Sequence, residues 1–300
     1  MRAQATTTVQ IKEDRFWVYR RKISDFWRLY KRSRLGKIGL TIVLAFMFIA
    51  IAAPWIAPYD PFSFVGDPFL KPSSAHVLGT DQVGRDILSR VIFGTRISLL
   101  VGLVASAMTI CLGSLIGLVS GYLGGRVDNL LMRITDLFII LPALPLMLIM
   151  ASILGKGIMN IIIVIAVIGW TATARMVRSQ TMSLKERPFT EASRAIGSTD
   201  LHTIARHIVP NVFPLVFANG MIAIVDAILS EAGLSFLGFG DPSSPSWGMV
   251  LYFADRAGST VNGYWWYIVP PGICIMLLVM GFAFISYSTD QILNPRLRRR

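Results

Sequence analysis

Residues 97–125, ISLLVGLVASAMTICLGSLIGLVSGYLGG, contain no Asp, Glu, Lys or Arg. About 20 apolar residues in a helix are enough to cross the ~30 Å hydrocarbon core of a bilayer, and this stretch exceeds that length. The whole chain is similarly apolar: 54% of its 300 residues are hydrophobic and 15% are charged, whereas about a quarter of the residues in a soluble domain are charged. The sequence therefore predicts an integral membrane protein.

Five further stretches satisfy the same length criterion. The six predicted transmembrane helices cover residues 39–57, 97–125, 137–155, 157–174, 208–229 and 264–289. They predict an all-α fold with a polar N-terminal segment (1–36), a transmembrane domain (37–290) and a basic tail (291–300). The connections 58–96, 175–207 and 230–263 are longer than the usual helix-to-helix link of about 2 to 8 residues, so functional sites are expected there.

The basic residues are distributed unevenly among these connections. Residues 1–37 carry 11 Lys and Arg and residues 175–207 carry 6, whereas the segments on the opposite side carry six in total. Because basic residues resist transfer across the membrane, both termini are predicted to be cytoplasmic. Topology and contact with anionic lipid thus account for the net charge of +12, and nucleic acid is not expected as a partner.

The segment before the first span predicts a short interfacial helix. Residues 24–33 place apolar side chains at helical spacing on one side and basic side chains on the other, a pattern typical of helices that lie in the membrane surface. Ser24 is its predicted N-cap. The alternative is a frayed basic tail.

The sequence lacks the motifs of nucleotide, metal and catalytic sites. No G-x-x-x-x-G-K-[ST] motif is present, so the chain is not expected to bind ATP through a P-loop. His202 and His207 are five residues apart, which places them on different faces of an α-helix and argues against a metal site. With no nucleophile elbow and no intramembrane carboxylate pair, neither enzymatic activity nor a cofactor in this chain is expected.

The connection 175–207 contains a second short helix with its own start and stop signals. In the stretch RPFTEASRAIG, residues 187–197, Thr190 is the predicted N-cap and Gly197 the predicted stop. Ala192 and Ala195 form a small face suited to a groove in a partner. Ile208-Val209-Pro210 then enters the fifth span directly, so movement of the short helix is expected to reach a membrane helix.

These residues resemble the EAA loop of membrane permeases in ABC importers, with Ser193 where the family usually has Ala and His207 where it usually has Ile. In that family the loop is a coupling helix held in a cleft of the ATPase subunit. The resemblance implies an ATPase-coupling role for Thr190, Glu191, Ala192, Ser193, Ala195, Gly197, Ile208 and Pro210.

Two stretches predicted on the opposite side narrow the resemblance. HVLGTDQVGRDILSR, residues 76–90, and LSFLGFG, residues 234–240, resemble the second permease subunit of dipeptide, oligopeptide and nickel importers. Asp86 can pair with Arg90 at i, i+4 on a helix lying on the membrane surface; the alternative is a helix that enters the second span, and both are expected to be partly true. The loop 238–248 is expected to form part of the rim that meets a substrate-binding protein.

The resemblance implies a six-span type I ABC importer permease in a prokaryotic inner membrane. The implied partners are a second homologous permease, two ATP-binding subunits that hold ATP and Mg²⁺, an extracytoplasmic binding protein and membrane lipid. The solute class stays open among dipeptides, oligopeptides, nickel chelates and oligosaccharides. The alternative function is a secondary transporter driven by an ion gradient, which is expected to carry inverted repeats and several intramembrane charges.

Two features inside the membrane are candidates for function. Gly113, Gly117, Gly121 and Gly125 form a close-packing stripe that serves either a seam within one subunit, an interface between subunits or a sliding surface. Asp226, an acid inside the fifth span, is expected to face protein or water. It either lines the translocation cavity, where it attracts an amino group of the solute, or pairs with a basic residue of a neighbouring subunit. Glu231 is expected to be solvated at the interface.

Overall fold

The structure is a computed structural model, described here over residues 27–293. Helices α1 to α5 span Arg34–Ile56, Ile87–Leu123, Gly125–Ile140, Ala143–Leu154 and Ile158–Lys185. Helices α6 to α10 span Pro188–Ala195, Asp200–Thr203, Val209–Phe236, Trp247–Arg256 and Trp265–Leu293, and the π-helical turn Ile204–Ile208 joins α7 to α8. Outside these helices, the described residues contain one isolated β-bridge, between Thr80 and Asp86.

Five helical stretches are long and apolar enough to cross a membrane. They are Arg34–Ile56, Ile87–Leu123, Ile158–Lys185, Asp200–Phe236 and Trp265–Ile292. The bent pair of α3 and α4 makes a sixth candidate. The predicted all-α class is therefore confirmed, with five candidate spans, or six if the bent pair is one span. Helix α5 is longer than predicted: at 28 residues it measures about 42 Å and continues well beyond residue 174.

The third predicted span, 137–155, is not one helix. Helix α3 ends at Ile140, α4 begins at Ala143, and the two are bent by 94°. Pro142 causes the break, because a proline forces the preceding residue out of the α region, and Leu141 is accordingly extended (φ −76°, ψ 133°). The prediction of a straight span over 137–155 is corrected to a helix pair with a sharp bend.

The glycine stripe on α2 packs against α5. A Cβ atom on Gly113, Gly117 or Gly121 would lie 2.6, 2.5 or 2.7 Å from a carbonyl oxygen of α5. The three oxygens belong to Trp170, Ala174 and Arg178. Because these atoms are backbone and four residues apart, the two helices are in direct main-chain contact over two turns.

Gly125 does not belong to this stripe. Helix α2 ends at Leu123, and Gly125 is the first residue of α3, with no atom within 4 Å of the position a Cβ would take. The predicted four-glycine stripe is therefore corrected to three members, since the four-residue repeat continues in sequence past the end of the helix.

Ion pairs fasten α3 to α5. Arg178 donates through Nε to Asp128 Oδ1 (2.5 Å) and through Nη2 to Asp128 Oδ2 (2.6 Å), and Arg175 pairs with Asp136 one to two turns away. Such bidentate pairs fix the relative orientation of the two partners. Helix α3 is therefore fixed to α5 by ion pairs, and after the 94° bend α4 packs on α5 through buried apolar residues such as Met147 and Ala151.

The predicted interfacial helix lies mostly outside the described residues. Trp27–Tyr30 is helical, a turn follows, and Ser33 caps α1 by accepting a hydrogen bond from the Gly36 N–H at 3.1 Å. The helix therefore ends at Tyr30, three residues before the predicted end. The predicted cap Ser24 and the tail 294–300 lie outside the described residues.

Candidate functional site

The EAA segment, residues 186–208, contains the short helix α6 (Pro188–Ala195). Its N-cap is Arg187, which is extended (φ −80°, ψ 145°), and the prediction that Thr190 caps the helix is wrong. Proline favours the first helical position, because its fixed φ suits the helix and its missing N–H has no partner there. Thr190 is instead fully buried, and its Oγ1 donates to the carbonyl of Leu184 at the end of α5 (2.8 Å).

Gly197 closes α6 with a tight turn. The Ser198 N–H donates to Ser193 O (3.1 Å) and the Gly197 N–H to Arg194 O (2.9 Å), which together form a Schellman motif. Gly197 has φ +85°, and no atom lies within 4 Å of the position its Cβ would take. The turn therefore needs glycine for its backbone conformation and not for space.

The two faces of α6 differ in what covers them. Thr190 and Ser193 are buried against the bundle, and the Ser193 Oγ has no hydrogen-bond partner among residues 27–293. Glu191, Ala192 and Ala195 are exposed. Two large apolar side chains extend this surface: Ile196 is 84% exposed and Leu201 is 77% exposed. We call these five residues the EAA surface; in this chain it is uncovered.

Tyr122, at the end of α2, connects the EAA segment to the bundle. Its hydroxyl donates to Asp200 Oδ1 (2.6 Å), and the guanidinium of Arg194 and the ammonium of Lys185 lie 5.2 and 5.6 Å from its ring centre. The apolar cluster around it consists of Val177, Leu184, Ile208 and Val212. Together with Tyr122, these residues come from α2, from α5, and from the π-helical turn and first turn of α8. The EAA segment is therefore connected through Tyr122 to three spans.

The π-helical turn Ile204–Ile208 leads from the EAA segment into α8. The Val209 N–H donates to Ile204 O, an i to i+5 hydrogen bond, and this turn brings residues five apart onto one face. His202 and His207 accordingly have ring centroids 6.5 Å apart, so the prediction that they lie on different faces is wrong. Ile208 is fully buried and Pro210 lies in the first turn of α8.

A cavity of about 170 Å³ opens between α2, α4, α5 and α8. Its polar lining consists of Thr109, Thr173, Asn219, Asp226 and Ser230. Asp226 is exposed in this wall and forms no hydrogen bond or ion pair with any of residues 27–293. The structure thus places the predicted acid at a cavity within a single chain.

At the opposite end of the bundle, Asp81 is the centre of a folded segment, residues 58–86, which we call the plug segment. Its carboxylate accepts from the N–H groups of Val83 and Arg85 (both 2.9 Å), from Arg85 Nε (2.7 Å) and from Arg90 Nη1 (2.8 Å). Asp81 is fully buried and Arg90 is 2% exposed. The prediction that Arg90 pairs with Asp86 is therefore wrong.

Asp86 has a different role, as the N-cap of α2. Its Oδ2 accepts from the Ser89 N–H (2.8 Å), and its Oδ1 lies 3.1 Å from His76 Nδ1. Ile87 is completely buried and begins the 37-residue helix α2. Of the two roles expected for this stretch, entry into the second span agrees with the structure, and the separate surface helix is corrected, because Ile87–Leu123 is one continuous helix.

The plug segment is attached to α9 and α10. The guanidinium groups of Arg85 and Arg90 lie 5.6 and 5.4 Å from the ring centre of Phe253 in α9, and the Tyr267 hydroxyl of α10 donates to Gln82 Oε1 (2.6 Å). Gly84 has φ +83°, and a Cβ there would lie 2.0 Å from the carbonyl oxygen of Gly66. The residues of the motif 76–90 thus form one compact unit at the end of the bundle opposite the EAA segment.

Glu231 is buried and not solvated as predicted. It is 1% exposed, and it accepts from Ser235 Oγ (2.7 Å) and Ser98 Oγ (3.3 Å). Ser98 Oγ in turn accepts from the Trp247 N–H (3.3 Å). The prediction failed because α8 continues to Phe236, so Glu231 still lies within the packed bundle, where it joins α2, α8 and the start of α9.

The loop 238–246 is folded around Asp241. Burial raises the pKa of Asp241, but hydrogen bonds from the Ser243 hydroxyl, the Ser243 N–H and the Ser244 hydroxyl lower it, and the net pKa lies below the usual value. Pro242 and Ser243 are exposed, whereas Ser246 is buried and caps α9 by accepting from the Met249 N–H (3.2 Å). The loop therefore presents its tip to solvent on a fixed base.

Known families match most of this chain. Residues 113–299 match the family described as "Binding-protein-dependent transport system inner membrane component", and residues 23–72 match "N-terminal TM domain of oligopeptide transport permease C". The chain belongs to the first of these families. The prediction of an ABC importer permease is thereby confirmed, and the alternative of a secondary transporter has no support.

Individual members of this transport family are similar over nearly the whole chain. The di/tripeptide transport system permease protein DppC of Pseudomonas aeruginosa is 34% identical, over 94% of this chain and 94% of its own. The dipeptide permease DppC of Bacillus subtilis is 32% identical, over 92% and 86%. The glutathione transport system permease protein GsiD of Escherichia coli is 36% identical, over 91% and 90%.

A solved structure supports the same fold. A chain of the MetNI methionine ABC transporter aligns with a TM-score of 0.52, covering 70% of this chain and 97% of its own. At 16% sequence identity this likeness concerns the fold alone. The helical core of this inner membrane component is thus that of an ABC transporter permease.

Sequence reasoning missed several residues that hold the candidate sites in place. Tyr122 and Thr109 gave no signal, because Tyr122 binds Asp200, far along the chain, and Thr109 has no hydrogen-bond partner among the described residues. For Asp81 the signal was its position between Gly79 and Gly84 in a loop: an acid flanked by turn residues often binds backbone N–H groups.

Proposed function

We propose that this chain is one of two permease subunits of an ATP-driven peptide importer in a prokaryotic inner membrane. The relatives are named as permeases for di/tripeptides, dipeptides and glutathione, all of which are small peptides. A second, homologous permease completes the passage, two separate ATPase subunits hold ATP and Mg²⁺, and an external binding protein delivers the peptide.

The proposed orientation places the EAA segment and both termini in the cytoplasm. The cytoplasmic end then carries most of the Lys and Arg of the chain, as the positive-inside rule requires. At the opposite end, Arg85 and Arg90 both pair with the single carboxylate of Asp81. One of their two positive charges is therefore neutralised at the outer surface.

The observation that carries the proposal is the contrast between the two faces of α6. The EAA surface is uncovered, with Ile196 84% exposed, whereas on the other face Thr190 donates to the Leu184 carbonyl at the end of α5 and the Arg194 guanidinium lies over the Tyr122 ring. A cleft in an ATPase subunit is the proposed partner of the uncovered face. Movement of the ATPase would then shift α6 and, through the π-helical turn, tilt α8 beside the cavity, and so favour one access state over the other.

On the opposite side, the plug segment and the exposed tip of the loop 238–246 are the proposed contact surface for the binding protein. Pro242 and Ser243 project from a base that Ser246 and Glu231 tie to α9 and α2. A docked protein would therefore press on elements that continue directly into the spans.

Replacement of Gly197 by alanine tests the coupling role. A left-handed residue with a Cβ costs about 1–2 kcal/mol, which would misplace the EAA surface, so ATP-driven peptide uptake by the reconstituted complex is expected to fall about tenfold. Gly263→Ala is the matched control: Gly263 has φ +73° and, like Gly197, open space around its Cβ position, but it lies between α9 and α10, outside the EAA segment. Full uptake by Gly197→Ala in an intact complex, or equal losses in both variants, would contradict the proposal.

A further inference from the structure

The cavity beside Asp226 contains a second side chain without a partner. Thr109 is 6% exposed, and its Oγ1 forms no hydrogen bond with any of residues 27–293. It lies against the backbone of Gly169, where a Cβ would be 3.3 Å from this oxygen, and both residues line the cavity. A buried hydroxyl without a partner is unusual, and because the oxygen itself is buried, a solute in the cavity would bind it after a rotation of the Thr109 side chain.

Asn219 offers a third oxygen to the same space. Its Nδ2 donates to Thr173 Oγ1 (3.2 Å), which leaves Oδ1 free to accept. Together with the Asp226 carboxylate and the Thr109 hydroxyl, the cavity presents acceptors from α2 and α8. None of the described lining residues is basic.

We propose that this cavity binds the primary ammonium group of the solute through Asp226, the charged acceptor, with Thr109 and Asn219 as neutral acceptors along the cavity. This inference rests on the proposed function as an importer permease. It goes further by specifying which end of the solute the cavity recognises. An ammonium group has three N–H donors and no acceptor, which suits the Asp226 end of a cavity whose described lining has acceptor oxygens and no basic side chain. Asn219, about 10 Å before Asp226 along α8, is placed for the next part of the solute. A carboxylate would be repelled by Asp226, so the cavity favours the amino end of a peptide.

The competing explanation is that Asp226 pairs with a basic side chain of the second permease. An ion pair across subunits would explain one exposed acid. It would give no reason for the Thr109 hydroxyl to be buried and unsatisfied, or for Asn219 to keep an oxygen free, at the same cavity. The solute is therefore the better occupant, and the ion pair becomes an outcome of the test.

The test is uptake of L-alanyl-L-alanine and of its N-acetyl form by the complete transporter, with partner subunits and binding protein, in liposomes. Both solutes are measured for wild type and for Asp226→Asn, so that selection by the binding protein cancels in the ratio of variant to wild type. Losing a charge-assisted hydrogen bond is expected to reduce uptake of the free dipeptide about 10- to 100-fold. Uptake of the acetylated dipeptide, which lacks the ammonium group, should change less than twofold.

Two further variants sharpen the result. Thr109→Val preserves shape and removes the hydroxyl, so it is expected to reduce uptake of the free dipeptide about three- to tenfold and to leave the acetylated form unchanged. Asp290→Asn is the control, an acid-to-amide change in α10 outside the cavity, and it should leave the preference for the free amino group unchanged.

Three outcomes would overturn the inference. They are an unchanged preference in Asp226→Asn with both uptake rates reduced equally, an unchanged preference with neither rate reduced, and loss of the second permease from Asp226→Asn on size-exclusion chromatography, which would indicate the ion pair between subunits. A wild-type complex without ATP-driven peptide uptake would instead remove the proposed function, and this inference with it.

Discussion

Asp81→Ala is expected to be among the most destabilising single substitutions in this protein. It would leave Arg90, 2% exposed, as a buried charge without its carboxylate, and it would also free two backbone N–H groups. Breaking a buried pair by removing one partner costs about 3–5 kcal/mol. The measurement is thermal unfolding of the purified complex in detergent, where the plug segment should become protease-sensitive below the wild-type transition.

The matched control for Asp81 is Asp136→Ala. Asp136 and Arg175 also form an ion pair, but both side chains are 50% exposed, and exposed pairs contribute about 0–1 kcal/mol. The double variant Asp81→Ala/Arg90→Met should recover part of the loss, because an apolar residue replaces the unpaired charge. Similar destabilisation by Asp81→Ala and Asp136→Ala would show that burial of the Asp81 pair is not what stabilises the plug segment.

Gly117→Ala is expected to separate α2 from α5. The new Cβ would lie 2.5 Å from the Ala174 carbonyl oxygen and 2.8 Å from the Val177 Cβ, and neither atom can rotate away. Overpacking of this kind costs about 1–3 kcal/mol, and a larger residue such as leucine should prevent accumulation of the folded complex. The yield of complex after membrane extraction and its thermal midpoint measure the effect.

Gly233→Ala serves as the control for the glycine seam. Gly233 also lies inside a long helix, α8, but no atom is within 4 Å of its Cβ position. Alanine there should be neutral or slightly stabilising. If both alanine variants lowered the yield equally, general loss of glycine flexibility, and not the contact between α2 and α5, would explain the result.

The spans were predictable because they depend on a local property, the length of a charge-free run. The same criterion failed at residues 137–155, where it counted apolar residues and ignored Pro142, whose missing N–H and fixed φ break the helix. The four-residue spacing of glycines was likewise extended too far, to Gly125, because the sequence composition does not mark where α2 ends.

The sites were predictable in part. The short helix in the EAA segment and its stop at Gly197 follow from local signals, whereas its start was misplaced because Thr190 was preferred to the proline two residues earlier. The hydrogen-bond and ion-pair partners of individual side chains were harder to predict from the sequence. Arg90 binds an acid nine residues away, and Glu231 binds a serine 133 residues away; such contacts depend on the packed bundle, and spacing rules describe only single helices.

The π-helical turn at Ile204–Ile208 has a consequence for variation in chain length. Its i to i+5 hydrogen bond accommodates one residue more than an ordinary helical turn, so an insertion or deletion between Thr199 and Pro210 can be absorbed by gaining or losing this turn. Helix α8 would keep its rotational phase, and Asn219 and Asp226 would keep their direction. The EAA segment can therefore change in length during evolution without reorienting the residues that line the passage.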